Sequence, residues 1–70
     1  MMEVSRSDLI KAINEWIVGS HAERNRQIIS RRLIDGVTFE KLAEEFDLSV
    51  RQTKNIVYTC ESKVYKHLPG

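Results

Sequence analysis

Arg51 and Asn55 stand four residues apart in a segment patterned as a helix, so both fall on one face. Each side chain can make a pair of hydrogen bonds to one base edge in the major groove, arginine to guanine and asparagine to adenine. Lys54 is one residue away, rotated toward the groove wall, where a phosphate is the natural partner. The first turns of this helix thus supply the candidate DNA contacts: Ser49, Val50, Arg51, Gln52, Lys54, Asn55 and Tyr58. Arg31, Arg32 and Thr38 are candidate contacts for phosphate or for a partner's acidic surface. A solvated face is the plain alternative for the two arginines.

Other chemistry has little to stand on. His21 and His67 are 46 residues apart in different helical segments. Glu40, Glu44 and Glu45 cluster, but on the solvated side of a short helix. The three glycines sit at helix ends or the chain terminus, so no phosphate-cradling loop exists. Cys60 is the only cysteine, which excludes an internal disulfide and a cysteine-rich zinc site. Its place in an apolar stripe reads as a buried structural thiol. A helical chain of 70 residues also offers little concave pocket. No enzyme, cofactor or metal site is expected.

The elements that must position the candidate contacts lie between Thr38 and His67. Thr38 reads as an N-cap, and Phe39, Leu42, Ala43 and Phe46 then share one apolar face at offsets of three and four. Asp47-Leu48 breaks that pattern, and Ser49 reads as a second cap. A longer helix follows to about His67, with Thr53, Ile56, Val57, Cys60 and Val64 in one stripe. Two caps eleven residues apart around a short helix fit a helix-turn-helix, whose second helix presents its N-terminal residues to base edges. Small Ala43 allows a close helix crossing, and Leu48 points inward to pin the turn. A helical hairpin with no DNA role is the bland alternative.

Upstream, residues 1–6 read as frayed and Ser7 as the cap of a first helix. Its apolar face is Leu9, Ile10, Ile13, Trp16 and Ile17, with Gly19 suited to its C-terminal end. A second helix is expected from about Ser20 to Asp35, stopped by Gly36. Val37 precedes the Thr38 cap as a hydrophobic staple. Pro69 stops the last helix. The spacing predicts one all-α, four-helix domain over residues 1–70, with a core of Leu9, Ile13, Trp16, Ile29, Leu33, Leu42, Phe46, Leu48, Ile56 and Cys60.

Charge is nearly balanced at +1, but it is unevenly spread. Residues 49–70 carry four basic side chains and one acidic, a net of +3, whereas residues 1–48 carry seven basic and nine acidic, a net of −2. Positive charge therefore collects on the helix expected to meet DNA, and binding should be strongly salt-dependent. No apolar run is long enough for a membrane span, and the first residues lack a signal core, so a cytoplasmic location is expected.

From Ala22 to Pro69 the chain resembles region 4 of bacterial sigma factors. Glu23 to Ile29 is similar to that family's arginine-rich helix opening, and Leu33 to Ala43 to its helix, glycine turn and capped brace. Phe46-Asp47-Leu48-Ser49 is similar to the turn of primary sigma factors. Lys54-Asn55-Ile56 and Lys63-Val64 match the later recognition helix in type. The resemblance implies binding to the −35 promoter element and docking on the flap of the RNA polymerase β subunit. It puts Val50, Arg51 and Asn55 at base-facing positions and Gln52 and Lys54 near the backbone. Val50 stands where the family has arginine, Arg51 where it has glutamate, and Thr53 where it has a branched apolar residue. These departures bear on a −35-type target, not on DNA binding as such. Promoter-melting and core-binding regions are absent from the sequence, which therefore looks like a free-standing sigma-like protein of the phage or mobile-element type.

The function this implies is sequence-specific binding of double-stranded DNA, in transcription regulation. RNA polymerase and a second copy of the chain are candidate partners. Two alternatives stay open: a module that binds RNA polymerase or another transcription protein without reading DNA, through the acidic brace face and Trp16, and the recognition domain of a phage packaging or recombination protein.

Overall fold

The computed structural model describes residues 5–68. They form four α-helices and no strand: α1 (Arg6–Trp16), α2 (Ala22–Leu33), α3 (Phe39–Phe46) and α4 (Val50–Lys66). The expected all-α, four-helix architecture is present. α4 packs against each of the other three helices, whereas α1 and α3 do not meet. The last helix is therefore the spine of the fold, and the short α3 is held against its N-terminal half.

Local chemistry sets the helix boundaries. Thr38 and Ser49 cap α3 and α4 as expected, each with extended backbone and a side-chain oxygen accepting from the amide three residues on. At α1 the cap is Ser5, not Ser7. Its Oγ accepts from the Asp8 amide at 3.1 Å, and Ser7 lies inside the first turn. Order therefore begins earlier than the frayed start over 1–6 predicts, and residues 1–4 lie outside the described part. α2 is shorter than expected, because His21 adopts a left-handed conformation (φ 60°) just before it and supplies no side-chain cap. Ile17, not Gly19, takes the C-cap of α1, and Gly19 (φ 93°) turns the following loop. α4 ends at Lys66 with His67 as its cap, and Pro69 lies outside the described residues.

The core is built from Ile13, Ile17, Ile28, Ile29, Leu42, Val57, Cys60 and Val64, with Ala12 beside them. Ala43 is buried, in keeping with a close crossing of α3 and α4. Leu9, Leu33, Phe46, Leu48 and Ile56 are half-buried and pack around this centre. Two residues of the expected α1 face are exposed instead. Ile10 is 43% exposed and Trp16 42%. The buried line of α1 runs through Ala12, Ile13 and Ile17, which leaves Ile10 at its edge. Trp16 is the last residue of α1, and the core position at this end is taken by its neighbour Ile17. The Trp16 ring stacks on His67 at 3.6 Å between centroids and 8° between planes, so it clasps the end of α4 without entering the core.

Candidate nucleic-acid interface

Two parallel rows of side chains define the two sides of α4. Thr53, Val57, Cys60 and Val64 recur at steps of four, three and four, and all are buried. Arg51, Asn55, Tyr58 and Ser62 follow the same steps two residues earlier, and all are exposed. An offset of two residues is about 200° around a helix, so the second row faces away from the protein. Packing of the first row thereby fixes the direction of the second.

Thr53 shows how closely the inner row is specified. Its side chain is fully buried, and its hydroxyl donates to the Ser49 carbonyl at 2.9 Å. A β-branched polar residue can thus occupy a core position with its one donor satisfied inside the helix.

The candidate contacts fall into committed and uncommitted groups. Ser49 and Gln52 are committed to a capping box. The Ser49 hydroxyl accepts from the Gln52 amide, and the Gln52 side-chain oxygen accepts from the Ser49 amide, both at 3.0 Å. The sequence carries this signal as Ser-x-x-Gln, and it gives Gln52 a structural task in place of the DNA contact expected of it. Arg51, Lys54 and Asn55 are exposed and form no hydrogen bond or ion pair among the described residues. Val50 is partly exposed at the first helical position, and Tyr58 is 56% exposed.

Arg31 and Arg32 differ sharply although they are neighbours. Arg31 reaches from α2 to α3 and pairs with Glu45 at 2.7 Å. Arg32 meets no carboxylate within 4.0 Å among the described residues. One of its guanidinium nitrogens donates to the Val37 carbonyl at 3.0 Å, and its guanidinium carbon lies over the Phe39 ring, 4.2 Å from the centre. Phe39 also lies 5.7 Å from the Lys54 ammonium and meets the Tyr58 ring edge-on at 5.9 Å. The spacing of Phe39, Leu42, Ala43 and Phe46 predicts an inward place for Phe39 on α3. It is half-buried at the rim, because the first residue of a helix reaches its end and not its middle. The exposed cap Thr38 adjoins it.

Burial pushes the Cys60 thiol above its ordinary value of 9.0, partly offset by the nearby cations of Lys63 and Arg24. A buried, protonated thiol is a poor nucleophile and a poor ligand. Among the described residues no group of three or more His, Cys, Asp or Glu side chains is arranged to hold a metal ion, and no helix is long and apolar enough to cross a membrane.

Comparison with protein families, curated proteins and solved structures found no match for this chain.

Proposed function

We propose that this chain binds double-stranded DNA as a helix-turn-helix, with α3 as the brace and α4 in the major groove. The observation that carries the reading is the outer row of α4. Arg51 and Asn55 are exposed, unpaired among the described residues and one turn apart, near the N-terminus of a helix whose opposite side is packed. Arginine and asparagine are the side chains suited to guanine and adenine edges. Lys54 flanks that row, where phosphate contacts set register and not sequence. The resemblance to sigma region 4 points the same way and suggests a role in transcription regulation, with RNA polymerase as a candidate partner and a homodimer as a candidate state. The same contacts would serve the recognition domain of a phage packaging or recombination protein.

One observation favours a second reading. The acidic outer side of α3 and the half-exposed Trp16 leave surfaces that a protein partner can use without DNA. Fluorescence anisotropy with a random-sequence duplex separates the two. Salt-dependent binding at low ionic strength supports DNA recognition, and its absence leaves protein interaction as the function.

A further inference from the structure

Three side chains from α2 and α4 converge on one ring, Phe39 at the first position of α3. Two of them are cations. We infer that Phe39 is a positioning residue, whose ring holds Arg32 and Lys54 as a two-cation seat for the phosphodiester backbone beside the groove that α4 enters. This rests on duplex DNA being the ligand.

The manner of holding is what points outward. A cation anchored by a carboxylate is neutralised by it, as Arg31 is by Glu45 at 2.7 Å. A cation anchored over an aromatic face is held by the ring quadrupole and keeps its full charge. Arg32 spends one donor on the Val37 carbonyl, and a guanidinium carries five. Lys54 spends none among the described residues. Both charges remain available to an external anion.

The spacing suits a polyanion. The two groups lie 4.2 and 5.7 Å from one ring centre, so they are at most about 10 Å apart, close enough to meet neighbouring phosphates of one strand. A ring that restrains both long side chains beforehand lowers the ordering cost when DNA arrives. Packing alone does not call for an aromatic residue here. Phe39 is half-buried at the edge of the core, a place leucine can fill. Tyr58, edge-on to the same ring, steadies its orientation from the α4 side.

The test is a set of anisotropy titrations of the full chain against a random-sequence duplex at several salt concentrations. The variants are Phe39→Leu, Phe39→Tyr, Arg32→Gln and Lys54→Gln, with circular dichroism reporting the fold. Each phosphate contact contributes about 0.9 to the slope of log affinity against log salt. Phe39→Leu should stay helical and lose up to about two from that slope, equally for all sequences, and Phe39→Tyr should keep the wild-type slope. An unchanged slope in folded Phe39→Leu overturns the inference and leaves DNA binding standing. If Phe39→Leu does not fold, Arg32→Gln and Lys54→Gln decide: a loss of about one each supports the seat, and no loss rejects it. Failure of the wild-type chain to bind duplex at low salt overturns the DNA reading and the seat with it.

Discussion

Arg51 and Lys54 sit three residues apart on α4 but face different surroundings, so their removal should have different consequences. Arg51 lies in the outward row with no partner among the described residues, whereas the Lys54 ammonium leans toward the Phe39 ring. Arg51→Ala should relax sequence preference at one position, by about 1–3 kcal/mol of discrimination. Lys54→Ala should weaken binding to all sequences alike and lower the salt slope by about one. Equal, sequence-blind losses in competition titrations would reject base readout. Cys60 supplies a second test at this scale. Burial raises its thiol above 9.0, so the folded chain holds that proton more tightly than the unfolded chain. The stability this contributes is complete below about pH 9 and is lost as pH rises through the folded value. A thiol reagent at about pH 8 should therefore react more slowly with native protein than with protein in urea, and Cys60→Ala should flatten the fall in stability above pH 9. Equal reaction rates would show the thiol to be accessible. The sequence made the types and spacing of Arg51, Lys54 and Asn55 legible, because helical periodicity alone separates an outer row from an inner one. It did not reveal that Gln52 closes a capping box or that Phe39 gathers cations, because rotamers and contacts between helices choose between several uses for each side chain.

At the scale of elements, the junction of α3 and α4 is the part most constrained by backbone geometry. Ala43 is 5% exposed where the two helices cross, and the Leu48 amide donates to its carbonyl at 2.9 Å. Ala43→Leu should cost about 1–3 kcal/mol by overpacking, read as a lower melting temperature. A variant as stable as wild type would mean the crossing has room to spare. Asp47 closes α3 in a left-handed conformation, φ 55°, with its carboxylate at the negative end of the helix dipole. Asp47→Gly removes both penalties and should stabilise the domain by roughly 1 kcal/mol, partly offset by the freedom glycine gains in the unfolded chain. That corresponds to a melting temperature higher by about 4–8 °C for a domain of this size. No rise would indicate that the aspartate carboxylate makes a compensating interaction. The caps at Thr38 and Ser49 were readable because Ser and Thr precede clear apolar periodicity. The cap of α1 lies two residues before the expected Ser7, because Ser5 and Ser7 both precede the same periodic stretch and the Asp8 hydrogen bond distinguishes them.

For the whole molecule, helical periodicity predicts the helix count and order but only part of the core. Ile13, Ile29, Leu42 and Cys60 are buried as expected, whereas Trp16 lies on the surface against His67. Size and apolarity favour the interior for tryptophan, but Ile17 takes the core position at this end of α1, and the Trp16 ring lies flat against His67 at the end of α4. The centre passed instead to smaller branched residues, among them Ile28, Val57 and Val64, which fill the space where α4 meets α2 and its neighbours. Because α4 is packed along one whole side, its outer row is presented by a rigid support, and recognition should need little rearrangement of the protein. The measurement that tests this most directly is selection of bound sequences from random duplex DNA, followed by anisotropy titration of the winners against a scrambled duplex. The expected result is an enriched motif containing positions that Arg51→Ala and Asn55→Ala relax, with affinity that falls steeply as salt rises. Absence of any enriched motif, together with no binding at low salt, would contradict DNA recognition by α4.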